Sequence, residues 1–244
     1  AIFVAVRKGI LLKIRSRQPG IQIFRSLLLV VEVSVFIYAF SMMPLADAHA
    51  VAAVAPLIVM LMAGLFLREE IGPRRWVSVA IGFIGAVIII RPGLGVMSWQ
   101  SLIPLFGAFL WAGYQVLSRR VALSDAPETT LVYTASIGLL IFAVLAPFHW
   151  NDPTLLGWIL LLINGLLGSL GHYTLIRAFD LAPAATLQPF NYALLVWAIV
   201  IGLFAFGDLP DALTLLGAAI VVSAGVLSSE VGQSLVQRFR CRNN

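Results

Sequence analysis

Lysine occurs only twice in the 244 residues, at Lys8 and Lys13, cysteine once, at Cys241, and histidine three times. Each scarcity removes a class of function. Neither lysine follows a glycine, so the chain has no GxxxxGK[ST] loop to cradle nucleotide phosphates, which excludes an ATP-driven pump. A lone cysteine allows neither a disulfide framework nor a thiolate metal site within one chain. The histidines are too far apart to flank a Glu on one helix turn, as a zinc protease requires. No catalytic residue, metal or cofactor is therefore expected. Charge is scarce as well: 11% of residues are charged and 61% hydrophobic, against about 25% charged in a soluble domain. With a mean hydropathy of +1.00, the chain reads as an all-α polytopic membrane protein. The net charge of +5 implies no nucleic-acid partner, because basic residues in a membrane protein report orientation.

Apolar runs near the ~20 residues needed to cross the hydrocarbon layer occur eight times, at 23–43, 46–67, 74–90, 100–118, 129–148, 154–176, 184–206 and 211–228. AIFVAV at the start, followed by Arg7 and Lys8, reads as the end of a further, partial span, so a truncated chain is expected. If the spans alternate, every Lys and Arg except Arg91 collects on one side, fifteen of the sixteen. That bias makes the side cytoplasmic and places the basic tail 229–244 there, in a multi-pass protein of the cell inner membrane. Trp76, Trp99, Trp150 and Trp158 lie near span ends as interface anchors, and His49 near an outer end is read the same way.

A shift of 139 residues lays YAFSMMPLADA (38–48) on RAFDLAPAATL (177–187). Ala39, Phe40, Pro44 and Ala46 match Ala178, Phe179, Pro183 and Ala185, and Glu69 meets Asp208. Tyr38 and Arg177 fall on opposite sides, so the two copies enter the membrane in opposite senses. Inverted repeats place a binding site near the midplane, the usual construction of secondary transporters. The repeats are expected at 1–93, incomplete at its N-terminus, and 94–228.

PLADA (44–48), REEIGPRRW (68–76), GFIGAVIIIRPG (82–93), RAFDLAPAATLQPFNY (177–192) and FGDLPDALTLLGAAIVVSAG (206–225) together resemble the EamA-type branch of the drug/metabolite transporter superfamily. The resemblance covers nearly the whole chain. It implies a bundle of ten helices in two inverted five-helix repeats, cytoplasmic termini and a small organic solute as cargo. Measured against it, the first helix and most of the second are missing here. The usual Gly-Glu closing the fourth helix is Arg68-Glu69, with Gly207-Asp208 as its counterpart.

Glu32 sits in the middle of a span, where an ionised carboxylate costs about 2.5–3.5 kcal/mol. Protonation, an aqueous cavity or pairing with Arg25 two turns away would each offset that cost. In one span Trp111, Tyr114 and Gln115 fall at i, i+3 and i+4, and Gln188, Asn191 and Tyr192 repeat the spacing in another. Both faces are expected to point inward, lining a cavity or bonding helix to helix. Gly165, Gly168 and Gly171 suit a close helix approach, with His172 and Tyr173 beside them as further solute-binding candidates. Pro56 and Pro189 are expected to interrupt their helices. The reading is a secondary transporter of a small organic solute working by alternating access, with Glu32 as the proton carrier where coupling exists. Membrane lipid and a second copy in a homodimer are the other candidate partners. The alternatives are a non-transporting accessory or scaffold subunit, and after it a membrane-embedded enzyme.

Overall fold

The computed structural model describes residues 15–69, 72–90, 99–148, 150, 152–207 and 211–228. The expected partial first span, Arg91, Asp208 and the basic tail lie outside them. The eight expected spans appear as helices: α1 (Pro19–Met42), a broken pair α2 (Leu45–Ala52) and α3 (Ala55–Phe66), α4 (Pro73–Ile90), α5 (Leu102–Ala122), α6 (Pro127–Leu145), α7 (Leu155–Leu181), α8 (Ala184–Ile201) and α9 (Ala212–Ser228). Five segments are by themselves long and apolar enough to cross a membrane: 19–42, 47–66, 99–122, 127–148 and 155–181. The other three hold shorter apolar stretches, because Arg74 and Arg75 open α4, Gln188 and Asn191 interrupt α8, and α9 is only 17 residues long.

The chain divides into two compact units, residues 1–30 with 117–182, and 31–116 with 183–244. In the first, the turn after α5 ties down the start of α1. Asp125 accepts hydrogen bonds from the Ser16 hydroxyl, from the Arg17 amide at 2.8 Å and from Gln22 Nε2 at 2.9 Å. Burial pushes its carboxyl up, but those hydrogen bonds and the charge of Arg17 outweigh it and hold the pKa below the ordinary carboxylate value. A depressed folded pKa means the stabilisation is complete above the ordinary value near ~4 and is lost as pH falls through the folded one. Thermal melts are therefore expected to drop in that acid window for the wild type. Asp125→Asn should show no such drop, and should be less stable by roughly 1–3 kcal/mol at neutral pH.

Also in the first unit, Arg119 donates to the Phe179 carbonyl, joining the ends of α5 and α7. The middle of α7 is exposed and apolar, as a lipid-facing helix is. A Cβ added at Gly165, Gly168 or Gly171 would meet nothing within 4 Å. The expected close helix approach is thus corrected: among the described residues no neighbour comes near enough for a small side chain to matter.

In the second unit two pairs of positions that the 139-residue shift aligns have similar backbone angles. Pro44 and Pro183, equivalent under the 139-residue shift, precede α2 and α8 with φ −54°, ψ 145° and φ −56°, ψ 147°. Arg68 and Gly207, equivalent under the same shift, have φ 55° and 73° and end their helical segments in the left-handed region. Glycine enters that region freely, whereas Arg68 pays about 1–2 kcal/mol for it. Pro56 behaves as expected. It sits in the first turn of α3, where its missing N–H is tolerated, and the chain breaks at Ala53–Val54. Position 189 corrects the other half of that expectation, for α8 runs unbroken from Ala184 to Ile201. The irregularity comes later, as a wide turn over Gly202–Phe206 capped by Gly207.

Helices α4 and α9 pack at close range. A Cβ on Gly85 would lie 2.8 Å from the Gly217 carbonyl oxygen and 2.8 Å from Val221 Cγ2. Backbone cannot rotate away as a side chain can, so Gly85→Ala is expected to cost about 1–3 kcal/mol, read as a lowered melting temperature in detergent. No change would mean that the two helices slide apart freely.

Candidate functional site

Along α1, Gln22, Arg25, Leu29, Glu32 and Ala39 recur at helical spacing and are all buried. In the first unit, Arg25 donates to Ser118 Oγ at 3.1 Å, Gln22 Oε1 at 3.1 Å, the Thr130 carbonyl at 2.9 Å and Thr134 Oγ1 at 2.6 Å. The sequence reading used Arg25 as an orientation marker and as a partner for Glu32. Its two terminal nitrogens donate to these neutral groups, as a planar guanidinium fork permits. In the second unit, Phe36 packs against Gly107, where an added Cβ would lie 2.7 Å from the Phe36 ring.

The contacts of Arg25 with Ser118 and of Phe36 with Gly107 run in opposite directions along the two helices. By that register Glu32, one turn before Phe36, is level with Trp111, one turn beyond Gly107. Glu32 is 9% exposed. His49 packs beside the rings of Phe36 (6.1 Å) and Phe40 (5.4 Å).

The two polar-aromatic faces meet in the second unit. Trp111 and Tyr114 stack at 5.3 Å and 19°, an arrangement worth about 0.5–1.5 kcal/mol beyond the area buried. Tyr114, Gln115 and Gln188 are fully buried. Gln115 Oε1 accepts from Gln188 Nε2 at 3.3 Å and Asn191 Nδ2 at 3.4 Å. Gln188 also donates to the Ala184 carbonyl at 2.8 Å and accepts from Asn191 Nδ2 at 2.8 Å. These amides bond helix to helix. The side chain of Tyr192 lies outside the described residues. His172 and Tyr173 are half-buried and belong to the first unit.

Glu69 plays a part that the sequence reading left as acidic character alone. Its two carboxylate oxygens accept the first amides of α8, Ala184 N at 3.1 Å and Ala185 N at 3.2 Å. A carboxylate there satisfies orphan N–H groups and opposes the positive end of the helix dipole. The left-handed Arg68 just before it turns the chain so that Glu69 follows the end of α3. The sequence shows an acid just after the end of α3, but only packing brings it to the first turn of α8.

The model of the EamA-like transporter family matches residues 1–91 and 98–229. The chain belongs to the EamA-like transporter family. It is 32% identical over 216 residues, 88% of this chain and 72% of the relative, to the riboflavin transporter of Vibrio cholerae serotype O1. The S-adenosylmethionine uptake transporter of Rickettsia bellii is 29% identical over 86% of this chain and 72% of its own. The pseudopaline exporter CntI of Pseudomonas aeruginosa is 30% identical over 80% and 69%. One solved crystal structure superposes with a TM-score of 0.71 at 19% identity, covering 96% of this chain and 83% of that one, which shows the fold alone. As an EamA-like protein, the chain is a multi-pass helical transporter of small solutes.

Proposed function

We propose that this EamA-like chain moves a small organic solute across the inner membrane by alternating access, with its C-terminus cytoplasmic and with Glu32 carrying a coupled proton. The observation that supports it is the position of Glu32: buried mid-helix, level with Trp111, in the same unit as the Tyr114, Gln115, Gln188 and Asn191 cluster. A carboxyl group is expensive there unless it changes charge with the transport cycle. The relatives include uptake systems and an exporter, so family membership leaves the direction open and the driving gradient sets it. Riboflavin and S-adenosylmethionine, the solutes of two relatives, are the first to try. Proteoliposomes containing the purified chain should accumulate one of these labelled solutes faster when a pH gradient is imposed. Uptake that ignores the gradient would remove the proton coupling, and no movement of any solute would remove transport itself.

A further inference from the structure

The amide cluster in the second unit has a fixed direction. A backbone carbonyl can only accept, so the bond to Ala184 O identifies which end of the Gln188 amide is nitrogen. Gln188 Oε1 must then be the acceptor that faces Asn191, which fixes Asn191 Nδ2 as its donor. Both Gln188 Nε2 and Asn191 Nδ2 point donors at Gln115, so the Gln115 atom between them is its oxygen. Flipping any one of the three amides would set donor against donor or carbonyl against carbonyl. The chain of bonds therefore ends on Gln115 Nε2, which is fully buried and has no hydrogen-bond partner among the described residues. A buried, unanswered N–H typically costs on the order of a hydrogen bond's desolvation penalty, and buried polar groups left this way call for an explanation.

We infer that Gln115 Nε2 is the group that reads the solute: it donates to an unprotonated ring nitrogen or an exocyclic carbonyl of a planar heteroaromatic ring system. One turn before it, Trp111, half-buried and stacked on Tyr114, supplies the flat aromatic surface that such a ring packs against. The inference deepens the transport reading and rests on it for the site's purpose. Its chemistry is separate: the donor is idle in this structure, and a solute with a correctly placed acceptor satisfies it. A saturated or purely apolar solute of the same size leaves it unsatisfied and is rejected.

The test uses the full chain purified in detergent, with binding of riboflavin, S-adenosylmethionine and adenosine measured by calorimetry. Each parent is compared with one-atom analogues in which a ring nitrogen becomes C–H or a carbonyl oxygen becomes sulfur. At least one parent should bind, and one of its analogues should bind about tenfold more weakly, a hydrogen bond's worth. Gln115→Glu keeps the oxygen that Gln188 and Asn191 use and replaces the free donor by a second acceptor. In that variant the parent should weaken about tenfold and the gap between parent and analogue should close. If Gln115→Glu fails to fold, the analogue series on the wild type decides alone. Failure of all three parents to bind, equal affinity for every analogue, or a gap that persists in Gln115→Glu would each overturn the assignment. The same solutes are then followed in proteoliposomes. Binding that depends on Gln115 without any passage across the membrane would sink the transport reading and leave the assignment standing. Passage that ignores every analogue would do the reverse.

Discussion

Glu32→Gln is expected to abolish proton-driven accumulation while leaving the protein inserted and able to exchange solute downhill. The amide keeps the shape and the hydrogen-bonding capacity of the carboxyl and removes only the exchangeable proton. With one proton per solute, each pH unit supplies about 1.4 kcal/mol, a tenfold concentration ratio. Wild-type proteoliposomes should approach that ratio, and the variant's ratio should fall to about one. Because Arg25 donates to Gln22, Ser118, Thr130 and Thr134, adding Arg25→Gln should not restore accumulation. Full accumulation by Glu32→Gln against a pH gradient that the wild type uses would show that the carboxyl carries no proton. Restoration by the second substitution would show that the two side chains neutralise each other.

The largest effect on stability is expected at Arg25, which is fully buried. Arg25→Leu fills part of the space but leaves the Thr130 carbonyl and the hydroxyls of Ser118 and Thr134 without the donor they now face. Bonds from a charged donor contribute about 1.5–3 kcal/mol each and do not add fully. A loss of roughly 3–5 kcal/mol follows, near the upper end for one substitution and a large part of the ~5–15 kcal/mol that holds a typical domain together. Arg25→Lys should recover only part of it, since an ammonium on a flexible stem cannot span the same fork. Thermal unfolding of the detergent-solubilised variants measures both. A Leu variant that melts with the wild type would mean the hub contributes nothing to stability.

Class and span positions are determined by the sequence itself because each is a one-dimensional property. Crossing hydrocarbon takes about 20 apolar residues whatever surrounds them, so the eight runs could be read directly, and five of the resulting helices are long and apolar enough to span unaided. Pro44 and Pro183, and Arg68 and Gly207, which the 139-residue shift aligns, have similar backbone angles. The i, i+3, i+4 spacing likewise placed Trp111, Tyr114 and Gln115 on one face. Which groups meet across that face was beyond the sequence. Periodicity says that a residue points inward but not at what, so Arg25 looked like a topology marker and a neighbour for Glu32, and became the hub of a neutral hydrogen-bond network in one unit. The glycines at 165, 168 and 171 had the spacing for a close approach, yet a small side chain matters only where another helix arrives, and none of the described ones does. Glu69 reached the start of α8 across 115 residues of chain, and only the packing of the helices brings two such distant helix ends together.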